Sequence, residues 1–440
     1  TGSGIGTGGG IGTGIGLAPS GPASGPASGR DDRRGSPAGT AFESQTQIFE
    51  IARAYGSLCE IFIQNNEPLE LEYSCLRVLN LTRRFGPSPE LSRAFGFMGL
   101  IQGAARRHAR AEAYLKWARE AEEANRDVTT RVSALLRNGA YHLYHGDWRA
   151  VTEAMDKALM LCDQLGDARQ RAEAAVTLAQ ACVYSGEIAR GRALFTDLAA
   201  AAQDNGHVQP QCRAISGQVS CLLRTGETLD ATSALEQHLM LQESNPERMA
   251  LLVWHAQMAV AYARAAKPEL AWKEAETVER LIVETPMTYV PDAYFGLAEV
   301  YHTLLELPAE RHPAPRRLMV RRFAKAVRRG RRIARHFAAG EPMAWLWQGL
   351  YHWVRGRKRL ACKAWVKSHA AAHRLAMPYE EGLAALELGR HLPEGDPDRQ
   401  RHLEEAVKLF AKLGAGDERR ARKALGQDTW SAPAPRRLGR

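Results

Sequence analysis

Between Arg311 and Phe337 the chain carries ten arginines and Lys325, and neither Asp nor Glu. The formal net charge of the whole protein is +10, so the remainder is close to neutral and the cationic character is local. Its densest part, Arg316, Arg317, Arg321, Arg322, Lys325, Arg328, Arg329, Arg331, Arg332 and Arg335, has the chemistry of an anion-binding strip for nucleic acid, an acidic protein or a lipid headgroup. Val320, Phe323, Ala324, Val327, Ala334 and Phe337 recur among these cations at helical spacing. The same residues therefore also read as one amphipathic repeat helix whose arginines face solvent. No aromatic side chain is interleaved on the charged face and no nucleic-acid-binding motif accompanies it, which weighs toward the solvated face.

Other residues with chemical potential are fewer. Trp345, Trp347, Trp353 and Trp365 are large amphipathic rings able to anchor a peptide or a partner helix. Their helical setting, shared with Leu350 and Tyr351, argues that most of them fill a seam between helices. Two histidine pairs stand at helical spacing, His142 with His145 and His369 with His373. Zinc needs a third ligand, and neither a HExxH glutamate nor a neighbouring cysteine pair supplies one, so no metal site is expected. Gly4, Gly6 and Gly9 match a dinucleotide fingerprint in form only, because no strand precedes them and no helix follows. Phosphate-loop, nucleophile-elbow and kinase motifs are missing, and acidic clusters such as Glu122 with Arg126 read as i, i+4 pairs. Neither catalysis nor a cofactor is expected.

The elements that would position these residues announce themselves by a period. Helix-turn-helix corners fall at Asn66-Glu67, Arg106-Arg107, Gly146-Asp147, Gly186-Glu187, Gly226-Glu227 and Lys267-Pro268, then at Arg316, Gly356 and Asp396. A period near forty residues is the signature of stacked helical pairs. It predicts an all-α, tetratricopeptide-like solenoid of about nine pairs over residues 41–426, with a proline-rich insertion at 306–315. Gly146 suits a left-handed corner and Asp147 the cap of the helix that follows. Ala113, Ala154, Ala193, Ala234, Ala275, Ala324 and Ala364 follow each corner and are expected to let the second helix approach the first. The pairs around Asn66 and Asp396 lack this alanine and suit capping repeats.

Residues 1–40 are rich in Gly, Ser and Pro and cannot bury enough apolar surface to order, and 427–440 form a basic tail expected to be disordered as well. Composition agrees with long amphipathic helices, at 45% hydrophobic, 25% charged and only 7% aromatic residues. Seven cysteines without CxxC spacing read as reduced core thiols of a cytoplasmic protein. No run of 18 apolar residues predicts a membrane span. The chain begins at Thr1 rather than Met, which is expected of a piece of a longer protein.

Several stretches resemble the C-terminal helical-repeat region of bacterial STAND-type signalling ATPases, the class linked to adenylate cyclase or protein kinase modules. They are LRVLNLTRRFGPSPELSRAFGFMG from Leu76, NGAYHLYHGDW from Asn138, LWQGLYHWVRGRKRLACKAW from Leu346, RLAMPYEEGLAALELGRHL from Arg374 and HLEEAVKLFAKLGAGDERRARKAL from His402. The resemblance spans about residues 42–426 and implies a sensing or scaffolding array whose catalytic modules would lie upstream. Those modules are absent here, so no catalytic residue carries over. The reading is a non-catalytic scaffold or sensor that binds a protein or peptide through the solenoid's concave face. Its alternatives are the regulatory arm of an ATP-dependent regulator, or an anion or nucleic-acid binder through 316–335.

Overall fold

The computed structural model describes residues 37–65, 67–244, 248–284 and 291–427. The glycine fingerprint at Gly4, Gly6 and Gly9 and the tail from 428 lie outside them. Two compact units divide at Thr46, and the second, Gln47–Arg440, carries the repeats. The first helix begins at Pro37, ahead of the expected start at Phe42.

The helices run in antiparallel pairs: α1 (Pro37–Asn65) with α2 (Pro68–Thr82), α3 (Pro89–Ala104) with α4 (His108–Asn125), and α5 (Val128–His145) with α6 (Trp148–Leu165). Next come α7 (Ala168–Ser185) with α8 (Ile188–Asp204), then α9 (Val208–Thr225) with α10 (Thr228–Gln237) and the short α11 (Leu239–Glu243). After these stand α12 (Arg248–Arg264) with α13 (Pro268–Glu284), α14 (Pro291–Glu306) with α15 (Arg316–Ile333), and α16 (Glu341–Val354) with α17 (Lys358–Arg374). The ninth pair, α18 (Pro378–His391) and α19 (Pro397–Leu413), is followed by α20 (Glu418–Ala424). No strand occurs among the described residues, and the nine expected pairs are present. The proline-rich insertion is a loop between α14 and α15 holding one 3-10 turn, Ala309–Arg311.

Local chemistry explains the corners. Gly146, Gly186, Gly226 and Gly356 all take positive φ, a region open to glycine without the Cβ penalty. The Asp147 carboxylate accepts from the Ala150 N–H at 3.1 Å and starts α6.

The close approach within a pair is made differently from the sequence-based expectation. Among the seven named alanines, Ala154, Ala275, Ala324 and Ala364 are buried, Ala113 and Ala234 are half-buried, and Ala193 is exposed. The tight position on the second helix lies earlier, at Ala111, Gly191, Ala231, Ala271 and Ala361, all buried. Glycines of the first helix do the rest. A Cβ on Gly99 would stand 2.7 Å from Leu115, one on Gly139 2.4 Å from Met155, and one on Gly349 2.3 Å from Trp365. Small residues on the first helix thus seat large ones of the second, because the helix crossing puts the narrowest gap there. Glu122 also departs from expectation: Arg126 takes the left-handed cap position, and Glu122 instead lies 3.8 Å from Arg131.

Stacking runs mainly along one layer: α3 packs on α5, α5 on α7, α9 on α12, α12 on α14, and α16 on α18. These first helices form the inner wall of a superhelix. Its turns meet. The Trp148 indole donates to the Leu375 carbonyl at 2.6 Å, 227 residues further along, and Gly186 abuts Pro378 and Leu413. His336 donates through Nδ1 to the Ala104 carbonyl at 2.7 Å, and the Gly416 N–H donates to the Arg224 carbonyl at 3.0 Å. Phe337, expected on the apolar stripe of the arginine helix, lies beyond its end and packs between Tyr144 and Tyr184 of the earlier turn. The corners of the second to fifth pairs are therefore covered by the linkers and helix ends of the seventh to ninth.

Candidate functional site

The arginine strip lies on α15, the second and outer helix of its pair, with Arg335 just past its end. Met319, Phe323, Ala326, Val327 and Gly330 are buried, while Arg316, Arg317, Arg321, Arg328, Arg331, Arg332 and Arg335 are exposed. Lys325 and Arg329 are half-buried. Arg322 turns inward: it pairs with Glu276 at 2.9 Å and Glu279 at 3.7 Å, and lies 4.3 Å above the Trp272 ring. The structure thus splits the strip into an outer cationic face and one arginine committed to packing.

The four tryptophans also separate. Trp347 and Trp365 are buried, and Trp345 and Trp353 are half-buried. Trp345 receives Arg331 of α15 at 4.5 Å and Lys367 of α17 at 4.4 Å, a cation on either side in sequence joining three helices at one ring. Trp353 stacks on His391 at 3.9 Å between centroids, and His391 in turn lies flat on Trp365 at 4.9 Å and 13°. This aromatic stack floors an open cleft of about 820 Å³ lined by Trp353, Lys358, Arg359, Cys362, Lys363, His391, Leu392 and Pro393. The lining holds three cations and no carboxylate, and Lys358 stands 5.5 Å from the Trp353 ring. An aromatic floor under ammonium and guanidinium groups suits an acidic segment that also carries an apolar side chain.

Beyond the cleft, charge clasps successive turns together at their helix ends. Arg224 of α9 pairs with Glu380 of α18 at 2.8 Å and lies 4.6 Å over the Tyr379 ring. The Tyr379 hydroxyl donates to Asp417 at 2.8 Å, Asp417 pairs with Arg420 at 2.6 Å, and Arg420 reaches Glu387 at 3.4 Å. Arg390 and His391 contact the same Glu387 at 3.0 and 3.2 Å, which links this clasp to the floor of the cleft. Burial alone would raise the Glu387 carboxyl, but His391, Arg390 and Arg420 outweigh it and hold it at about 2. Burial of the Tyr379 phenol, reinforced by Asp417, keeps that hydroxyl protonated and donating.

Cysteines and histidines behave less uniformly than their spacing suggests. Cys59 and Cys75, scattered in sequence, bring their sulfurs to 3.5 Å in the first pair, and that contact together with burial raises the Cys75 thiol well above its usual range. His145 bonds the Tyr141 carbonyl and His108, and burial depresses its basicity. His369 and His373 on α17 meet Glu381 of α18, and His369 also meets Glu405 of α19. Sequence spacing displays only the two histidines, because both carboxylates arrive from other helices.

Comparison with solved structures places this architecture. The Rap protein complexed with competence and sporulation factor is similar at a TM-score of 0.58 and 10% identity, over 87% of this chain and 99% of that one. The fold is a tetratricopeptide-like helical-repeat solenoid. The TPR domain of P58(IPK) also matches, with 13% identity over 85% of this chain and 95% of that one, at a TM-score of 0.22. No family model matches the chain, and no curated protein matches it. Among the described residues, no helix of this solenoid is long and apolar enough to cross a membrane.

Proposed function

We propose that this solenoid is a non-catalytic, cytoplasmic protein-interaction scaffold that holds an acidic segment of a protein partner. The observation that carries the reading is the cleft floored by Trp353 and His391 and rimmed by Lys358, Arg359 and Lys363. This reading moves the binding surface from the concave face expected from sequence to the cleft at the eighth and ninth pairs, where aromatic rings and cations share one open volume. A rigid stack of repeats presents the cleft preorganised, so little side-chain ordering opposes binding. The similar Rap protein was solved as a complex with competence and sporulation factor, and a repeat solenoid acting by complex formation agrees with this reading.

The test is fluorescence anisotropy with labelled peptides rich in Asp, Glu and Leu, alongside single-stranded DNA and RNA. The triple variant K358E/R359E/K363E and the single W353A are expected each to weaken peptide binding at least about tenfold. Peptide binding that survives both variants overturns the assignment of the cleft. Steeply salt-dependent nucleic-acid binding, abolished by reversing Arg321, Arg328 and Arg332, replaces it with recognition through the outer strip.

A second reading, the regulatory arm of an ATP-dependent signalling protein, is favoured by where the resembling stretches fall. RLAMPYEEGLAALELGRHL and HLEEAVKLFAKLGAGDERRARKAL form the ninth pair and α20, the elements that make the clasp between turns. A ligand that prefers the array with this clasp opened would bias it toward that form. Genomic sequence running in frame upstream of Thr1 into a nucleotide-binding domain with a phosphate-loop lysine supports this reading, and a start codon directly before the glycine tract removes it.

A further inference from the structure

We propose that His369, Glu381 and Glu405 bind one zinc-like divalent transition-metal ion, with His373 as fourth ligand and His402 orienting Glu405. The three central residues come from α17, α18 and α19, and their ligand atoms all lie within 4.8 Å of one another. His369 Nε2 is 2.9 Å from Glu405 Oε1 and 4.0 Å from Glu381 Oε1. Tetrahedral zinc with bonds of about 2.0–2.2 Å needs ligand atoms roughly 3.3–3.5 Å apart, so the observed separations bracket the requirement and small side-chain rotations meet it.

His373 stands one helical turn after His369, with Nδ1 2.8 Å from Glu381 Oε1. Two imidazoles at i, i+4 share one face of α17, and rotation of the exposed His373 side chain would bring it to the same ion. His402 Nδ1 approaches the other oxygen of Glu405, Oε2, at 3.5 Å, the place of an outer-shell group that fixes a ligating carboxylate.

Charge argues the same way. With neutral imidazoles the set carries two negative charges, and His369, Glu381 and Glu405 are all only half-exposed. His369 Nε2 lies between Glu405 at 2.9 Å and Glu381 at 4.0 Å, and His373 closes on Glu381 from the exposed side. A divalent cation neutralises the pair and ties three helices of the eighth and ninth repeats together. The set is hard and borderline, two nitrogens and two oxygens without thiolate, which suits zinc better than copper(I) or an iron–sulfur cluster. It shares no residue with the aromatic cleft, so the two proposals stand or fall separately.

The experiment titrates the chelator-treated full chain with Zn2+ by calorimetry and records the visible spectrum with Co2+. One equivalent of Zn2+ per chain is expected, with the intense absorption of tetrahedral cobalt. H369Q and E405Q should each weaken binding about 100-fold or more, and H402A about tenfold. H207A, at an exposed histidine on the linker before α9, should leave binding unchanged. E405Q preserves shape, and its circular dichroism without metal verifies folding; if it is misfolded, H373A at the exposed edge reads the site instead, with at least about tenfold weakening. Several weak sites, or one whose affinity ignores H369Q and whichever of E405Q and H373A folds, overturn the proposal.

Discussion

Replacing Arg224 by Ala tests whether the superhelix is held shut by its inner ion pair. Arg224 is 17% and Glu380 2% exposed at the side chain, so the substitution leaves a carboxylate in a site with almost no water. The second Glu380 oxygen already lacks a hydrogen-bond partner. Breaking a buried pair from one side costs about 3–5 kcal/mol, and loss of the guanidinium over Tyr379 adds to this. The penalty has a ceiling. Once it exceeds the free energy of inter-turn contact, the ninth pair lifts away and Glu380 hydrates, so further cost appears as lost cooperativity. Urea unfolding followed by circular dichroism should show R224A less stable by about 3 kcal/mol, with a broadened or two-step transition. R224M/E380L removes both charges and should recover most of the loss, since apolar replacements of a buried pair are often neutral or better. The reasoning fails if R224A unfolds within about 0.5 kcal/mol of the parent, or if the double variant is as damaged as the single.

Two further outcomes follow from the same contacts. A Cβ on Gly416 would stand 2.5 Å from Gly226 Cα and 3.0 Å from the Thr225 carbonyl, whereas Gly166 has positive φ but open space around it. G416A should therefore release α20 to limited proteolysis, while G166A costs only about 1 kcal/mol of backbone strain and leaves proteolysis unchanged. Glu387 titrates at about 2 against an ordinary 4.5, a depressed carboxyl, so its contribution is complete above 4.5 and is lost as pH falls toward 2. The loss is on the order of 3 kcal/mol, and a pH series of melting curves should show it flattened in E387Q.

The repeat architecture was legible because its punctuation is local. Gly146 with positive φ and Asp147 capping Ala150 are decided within a few residues, so a forty-residue period survives translation into structure. What could not be read is anything set by curvature. Gly146 serves its corner as expected, yet the Leu375 side chain also fills the space where its Cβ would lie, and no local pattern points across that distance. The same limit hid Glu381 and Glu405 from a search that found His369 and His373. The charge of the arginine helix was plain, but Arg322 is singled out only by Glu276, Glu279 and Trp272 on the neighbouring pair. The alanine expectation holds for burial at Ala154, Ala275, Ala324 and Ala364 but not at Ala113, Ala193 or Ala234, because only packing distinguishes buried Ala111 from half-buried Ala113.

Open repeat arrays gain and lose copies freely, since each unit answers only to its neighbours. Contact between turns removes that freedom here. Trp148 meets Leu375, Gly186 meets Pro378 and Leu413, and Gly226 meets Gly416, so the two edges mesh like teeth at several points along the turn. Excising or duplicating a single unit between the fourth and eighth pairs would shift every tooth by one notch and set Trp148 against the wrong linker. The number of units that fit is thereby set by the circumference, and a unit cannot be added or removed there without remaking the contacts between turns.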